Sequence, residues 1–231
     1  MNFRGALAIL KNELARFFRT VFGSILSPVL TTSLYIVVFG AAIGSRMDPA
    51  QFGGASYGAF IVPGLIMLTL LSAPVGVAET LIGFVGAAAL KALIIAGIIL
   101  ATATLFVDFS IAHPFLAVGY IVLVAAAFAL FGFILGIWAD GFEKLQIVPM
   151  LILMPLTFLG GTFYSIEMLG EPWRTVAQFN PIFYLINGLR WTFTGSADVP
   201  IGLAFAMTVG FLALCIAVIA VIFRTGWRLR G

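Results

Sequence analysis

Three polar side chains, Asn187, Arg190 and Thr194, recur at spacings of three and four in FNPIFYLINGLRWTFTG, residues 179–195. On a helix this spacing makes one polar stripe along an otherwise apolar cylinder. Such a stripe needs polar surroundings along one side of the helix. Asn180 is a good N-cap, because its side chain can accept from a free N–H of the first turn. Pro181 follows where a missing donor costs nothing, and Gly195 is the usual residue past a helix end. The pattern predicts a helix over 181–194, roughly 20 Å long against a hydrocarbon core of ~30 Å. It is expected to enter or skirt a membrane without crossing it.

The other reactive side chains are scattered. Lys91 lies in or beside an apolar span, where a charge suggests function unless the side chain snorkels to the cytosolic headgroups from a span starting near Ala88. His113, before Pro114 and near Asp108, reads as a solvated loop histidine or a proton relay. Asp140, Glu143 and Lys144 form a short cytosolic turn that is solvated or touches a partner. Cys215 is the single cysteine, in an apolar run, and reads as a buried inert thiol. The sequence contains no GxxxxGK[ST] loop, HExxH motif, paired intramembrane carboxylates or nucleophile–histidine pair. No catalytic residue, metal or bound cofactor is therefore expected. Work against a gradient would need energy from another chain or from an ion gradient, and the spans lack the buried acids that carry coupling ions.

The elements that position these groups are membrane helices. Hydrophobic residues make up 62% of the chain and charged residues 9%, and the mean hydropathy is +1.18. A soluble core could not bury that much apolar surface in 231 residues, so lipid is the solvent. The net charge of +3 is too small and dispersed for a nucleic-acid partner. Residues 1–20 pattern as an amphipathic interfacial helix, with Phe3, Leu7, Leu10, Leu14, Phe17 and Phe18 on one face and Arg4, Lys11, Arg16 and Arg19 around it. It is either an anchor or a docking surface for a cytosolic partner.

Six apolar spans follow. The first covers about 21–43, the second starts near Tyr57, and the third ends near Val107. The fourth covers about 115–138, the fifth 146–163 with Pro149 and Pro155 inside it, and the sixth 201–223. The cations favour both termini inside, which places the 165–199 connection outside. The reading is a single all-α polytopic domain over 1–231: an interfacial helix (1–20), spans and loops (21–223), a cytosolic tail (224–231) and an outer re-entrant helical segment.

The run MPLTFLGGTFYSIEMLGEPWRTVAQFNPIFYLINGLRWTFTG, residues 154–195, resembles the signature region of type-2 ATP-binding-cassette exporter permeases. YGAFIVPGLIM and GFEKLQIVPMLILMPLTF are similar to the same family, so the likeness covers nearly the whole chain. The resemblance implies a permease with six membrane helices, working as a dimer with a second permease and with cytosolic ATPase subunits that bind the ATP. It implies a bacterial cytoplasmic (inner) membrane, a membrane-lipid environment, and a drug, lipid or lipid-linked glycan as cargo. Asn180, Pro181, Asn187 and Arg190 would then cap the exit side. Arg4, Lys11, Arg16 and Glu79 are candidate contacts to the ATPase, and Tyr35, Phe163 and Tyr164 are candidate pathway linings, with the filling of helix contacts the favoured reading of these rings. One departure stands out. The family's cytosolic loop between spans two and three, which holds the coupling helix, is shortened here to about Ser72–Glu79. Pro74 and Gly76 within it disfavour a docking helix. The rival reading is a gradient-driven carrier or channel with no ATPase; a lipid-modifying membrane enzyme lacks candidate catalytic residues.

Overall fold

The computed structural model describes residues 11–12, 14–15, 17–20, 22–46, 52, 54–72, 81–108, 110–139 and 146–225. Arg4, Arg16, Glu79, the stretch 73–80, and Asp140, Glu143 and Lys144 lie outside the described residues. Lys11 is helical and exposed, whereas Phe17 is buried.

Eight α-helices are described, and no strand occurs among the described residues: α1 (Ser27–Ala42), α2 (Tyr57–Ser72), α3 (Leu81–Ala103), α4 (Pro114–Trp138), α5 (Met154–Leu159), α6 (Trp173–Gln178), α7 (Pro181–Thr194) and α8 (Ile201–Thr225). Among the described residues, three stretches are long and apolar enough to cross a membrane: Val85–Ala103, Pro114–Trp138 and Ile201–Thr225. The other three expected spans correspond to the shorter apolar helices Ser27–Gly40, Tyr57–Leu70 and Val148–Leu159. Proline accounts for part of this. A π-helical turn, Phe22–Leu26, leads into α1 just before Pro28, so the helical chain is continuous over 22–42. A second, Val148–Leu153, surrounds Pro149 and leads into α5. There the N–H of Met154 bonds the carbonyl of Pro149, five residues back. Proline removes a donor from the ordinary ladder, and a wider turn restores pairing.

The core is built around α2. Residues 57–68 are buried on every side, as expected of a helix with no polar stripe. It packs against α1, α3, α5 and α7. α4 pairs with α3 and α8, and all three show large exposed apolar side chains such as Leu105 just past α3, Phe115, Val118, Leu214 and Val221. In a chain of this composition those side chains face lipid.

Two glycines permit close approaches around α7 and the turn after α5. A Cβ at Gly188 would lie 2.1 Å from the Oη of Tyr120, whose hydroxyl shares a 2.6 Å hydrogen bond with Thr208. Only a glycine on α7 lets α4, α7 and α8 meet there. A Cβ at Gly64 would lie 2.6 Å from the carbonyl oxygen of Thr162, so α2 sits directly on the backbone that follows α5.

The described part of α3 runs over Leu81–Ala103, and its stretch apolar and long enough to cross a membrane starts at Val85, three residues before the span start expected near Ala88. Lys91 is about 15 Å along the helix from Leu81, and it is half-buried. Cys215 is free and buried in α8.

Candidate functional site

α7 occupies the end of the bundle where α2 begins, packed against α2, α4, α5, α6 and α8. Its boundaries follow from local chemistry. The Asn180 Oδ1 accepts from the N–H of Ile182 at 3.0 Å, and Gly195 closes the helix with φ +74°, the left-handed region that glycine adopts at no steric cost. Asn180 also donates from Nδ2 to the carbonyl of Leu156 at 2.6 Å, tying the start of α7 to α5. The terminal carbonyls of Thr192 and Phe193 accept from His113 (2.8 Å) and Ala112 (2.9 Å) in the loop before α4. The His113 ring stacks on Trp191 with 4.5 Å between centroids, so this histidine clips a loop to a helix.

The polar stripe faces inward. Asn187 and Arg190 are buried and Thr194 is half-buried. Asn187 donates to the carbonyl of Phe183 at 3.0 Å and accepts from the N–H of Asp198 at 2.9 Å. The Arg190 guanidinium donates from Nη2 to the carbonyl of Gly161. Its carbon lies 3.8 Å from the centre of the Phe60 ring on α2, an arrangement in which the ring face attracts the cation. Nη1 stands 3.6 Å from Asp198, and Nε and Nη1 have no hydrogen-bond partner. Asp198 in turn accepts from the Ser165 hydroxyl at 2.7 Å and from the N–H of Ile166 at 3.0 Å. One carboxylate therefore joins the turn after α5 to the arginine of α7.

The structure brings Asn180, Asn187 and Arg190 into one polar body with Gly161, Ser165 and Asp198. The last three were missed at the level of sequence. Asp198 carried a usable signal, being the only acidic residue after Arg190 and lying just past the end of its helix. Tyr35, Phe163 and Tyr164 form a different group. Phe163 is buried, with its ring 5.4 Å from Tyr35 and 4.7 Å from Phe39. These rings fill the contact between α1 and the turn after α5. Burial raises the Tyr164 phenol above its ordinary value, so it stays neutral. A cavity of about 330 Å³ opens at the same end, among Ser56, Asp108, Ser110 and Thr194.

No group of three or more potential metal ligands occurs among the described residues. The arrangement offers hydrogen bonding and one ion pair, with no nucleophile beside a base.

The ABC-2 type transporter family profile matches residues 5–194. The chain is 35% identical to the inner membrane transport permease YadH of Escherichia coli strain K12, over 89% of each chain, and the same figures hold for the protein of that name from Shigella flexneri. The alignment runs over 230 positions although only 89% of this 231-residue chain enters it. These relatives thus carry residues inside the matched region that this chain lacks. With a family profile matched through most of its length and an all-helical membrane architecture, this chain belongs to the ABC-2 type transporter family.

Proposed function

We propose that the chain is the membrane-spanning permease subunit of an ATP-driven exporter in a bacterial inner membrane. It pairs with a second permease copy or a homologous permease and with a separate cytosolic ATPase, and moves a drug, lipid or lipid-linked glycan outward. The observation that carries this reading is α7: a 14-residue capped helix, too short to span, inserted among membrane helices with its polar stripe turned inward. Such a piece closes the outer end of a pathway without adding a crossing. The energy source follows from what the helices lack. The sequence holds no phosphate-binding loop, and α1–α5 and α8 contain no Asp or Glu to carry a coupling ion. This disfavours the gradient-driven alternative.

Cross-linking in native membranes followed by affinity purification of the tagged chain tests the proposal. A cytosolic protein with a Walker-type phosphate loop is expected among the cross-linked partners. Recovery of the permease with no ATPase under conditions that trap other ABC complexes would overturn it.

A further inference from the structure

Polar contacts in this protein are unevenly distributed. Leu156 of α5, Gly161 and Ser165 in the following turn, Asn180, Asn187 and Arg190, and Asp198 are joined by hydrogen bonds and an ion pair. Against α2 the same body rests on the Phe60 ring under Arg190 and on the close contact of Gly64 with Thr162. One hydrogen bond crosses that face from the first residue of α2: the buried Tyr57 hydroxyl donates to the Phe163 carbonyl at 2.9 Å. A body tied internally by directional bonds, and to its neighbour mainly by sliding apolar surface, separates at the apolar face first.

We propose that the turn 160–166, α7 and the loop 195–199 form a single cover, and that the Tyr57 hydroxyl is the catch holding it against α2. Opening breaks the Tyr57–Phe163 bond and withdraws Arg190 from Phe60, while Asp198 stays with Arg190 and Ser165. The role of the cover as the outer gate of an exporter rests on the function proposed above; the cover itself does not.

Hydrogen–deuterium exchange of the purified full chain in lipid nanodiscs tests it without substrate or ATPase. Tyr57→Phe removes one hydroxyl and keeps the ring. It is expected to raise exchange about three- to ten-fold, by the same factor in peptides from 160–166 and from 181–199, with α4 unchanged. Asp198→Asn is expected to split the two, speeding 160–166 more than α7. No change in Tyr57→Phe would overturn the catch. A rise confined to the peptide around Phe163 would overturn the single cover. Neither result bears on whether an ATPase partner exists, which the cross-linking experiment reads separately.

Discussion

Asp198→Ala is expected to destabilise the protein by about 3–5 kcal/mol, seen as a large drop in melting temperature in mild detergent. Three losses coincide. Arg190, 1% exposed, keeps its cation without the carboxylate 3.6 Å away. The Ser165 hydroxyl and the Ile166 N–H lose their acceptor. The Asn187 bond to the Asp198 N–H survives, because it uses the backbone. Most of the cost is that of a stranded buried charge, so Arg190→Met in the same chain should recover a large part of it. Melting of Asp198→Ala at the unchanged temperature would show that the ion pair contributes nothing to the fold.

The second large effect concerns coupling. A permease can be shifted between states only by contacts that differ between them, and in the family that contact is a helix between spans two and three. Here the sequence offers only about Ser72–Glu79 for that connection, with Pro74 and Gly76 inside it. The curated relatives carry additional residues inside the matched region. The unmodified chain is therefore expected to bind its ATPase weakly and to couple hydrolysis poorly. Inserting about 25 residues of a family-like amphipathic loop between Leu71 and Ser72 should raise ATP hydrolysis of the reconstituted complex several-fold. Tight binding and full stimulation with the unmodified chain would show that the loop is dispensable.

What was legible in the sequence was mostly what local chemistry decides. Asn180, Pro181 and Gly195 mark a helix start and stop with three residues, and the helix runs over Pro181–Thr194 as expected. The fourth and sixth spans lie within two residues of their expected ends, because long apolar runs bounded by proline or charge leave little choice. The direction of the polar stripe on α7 was not legible. Spacing shows that Asn187 and Arg190 share a face, but only the tertiary arrangement turns that face toward Gly161 and Asp198 instead of an open cavity. The π-helical turns before Pro28 and around Pro149 were not legible, since proline predicts a disturbed ladder without saying how the carbonyls re-pair.

The central claim is that α7 enters and leaves on one side of the membrane, as part of an outer cover. Labelling of intact cells with a membrane-impermeant maleimide, in a Cys215→Ser background, tests it most directly. Cysteines replacing Thr175, exposed before α7, and Ala197, half-exposed after it, should both react from outside. One replacing Arg224, exposed near the end of α8, should react only after the cells are opened. Reaction of Thr175→Cys and Ala197→Cys from opposite sides would make α7 a crossing helix and contradict the account.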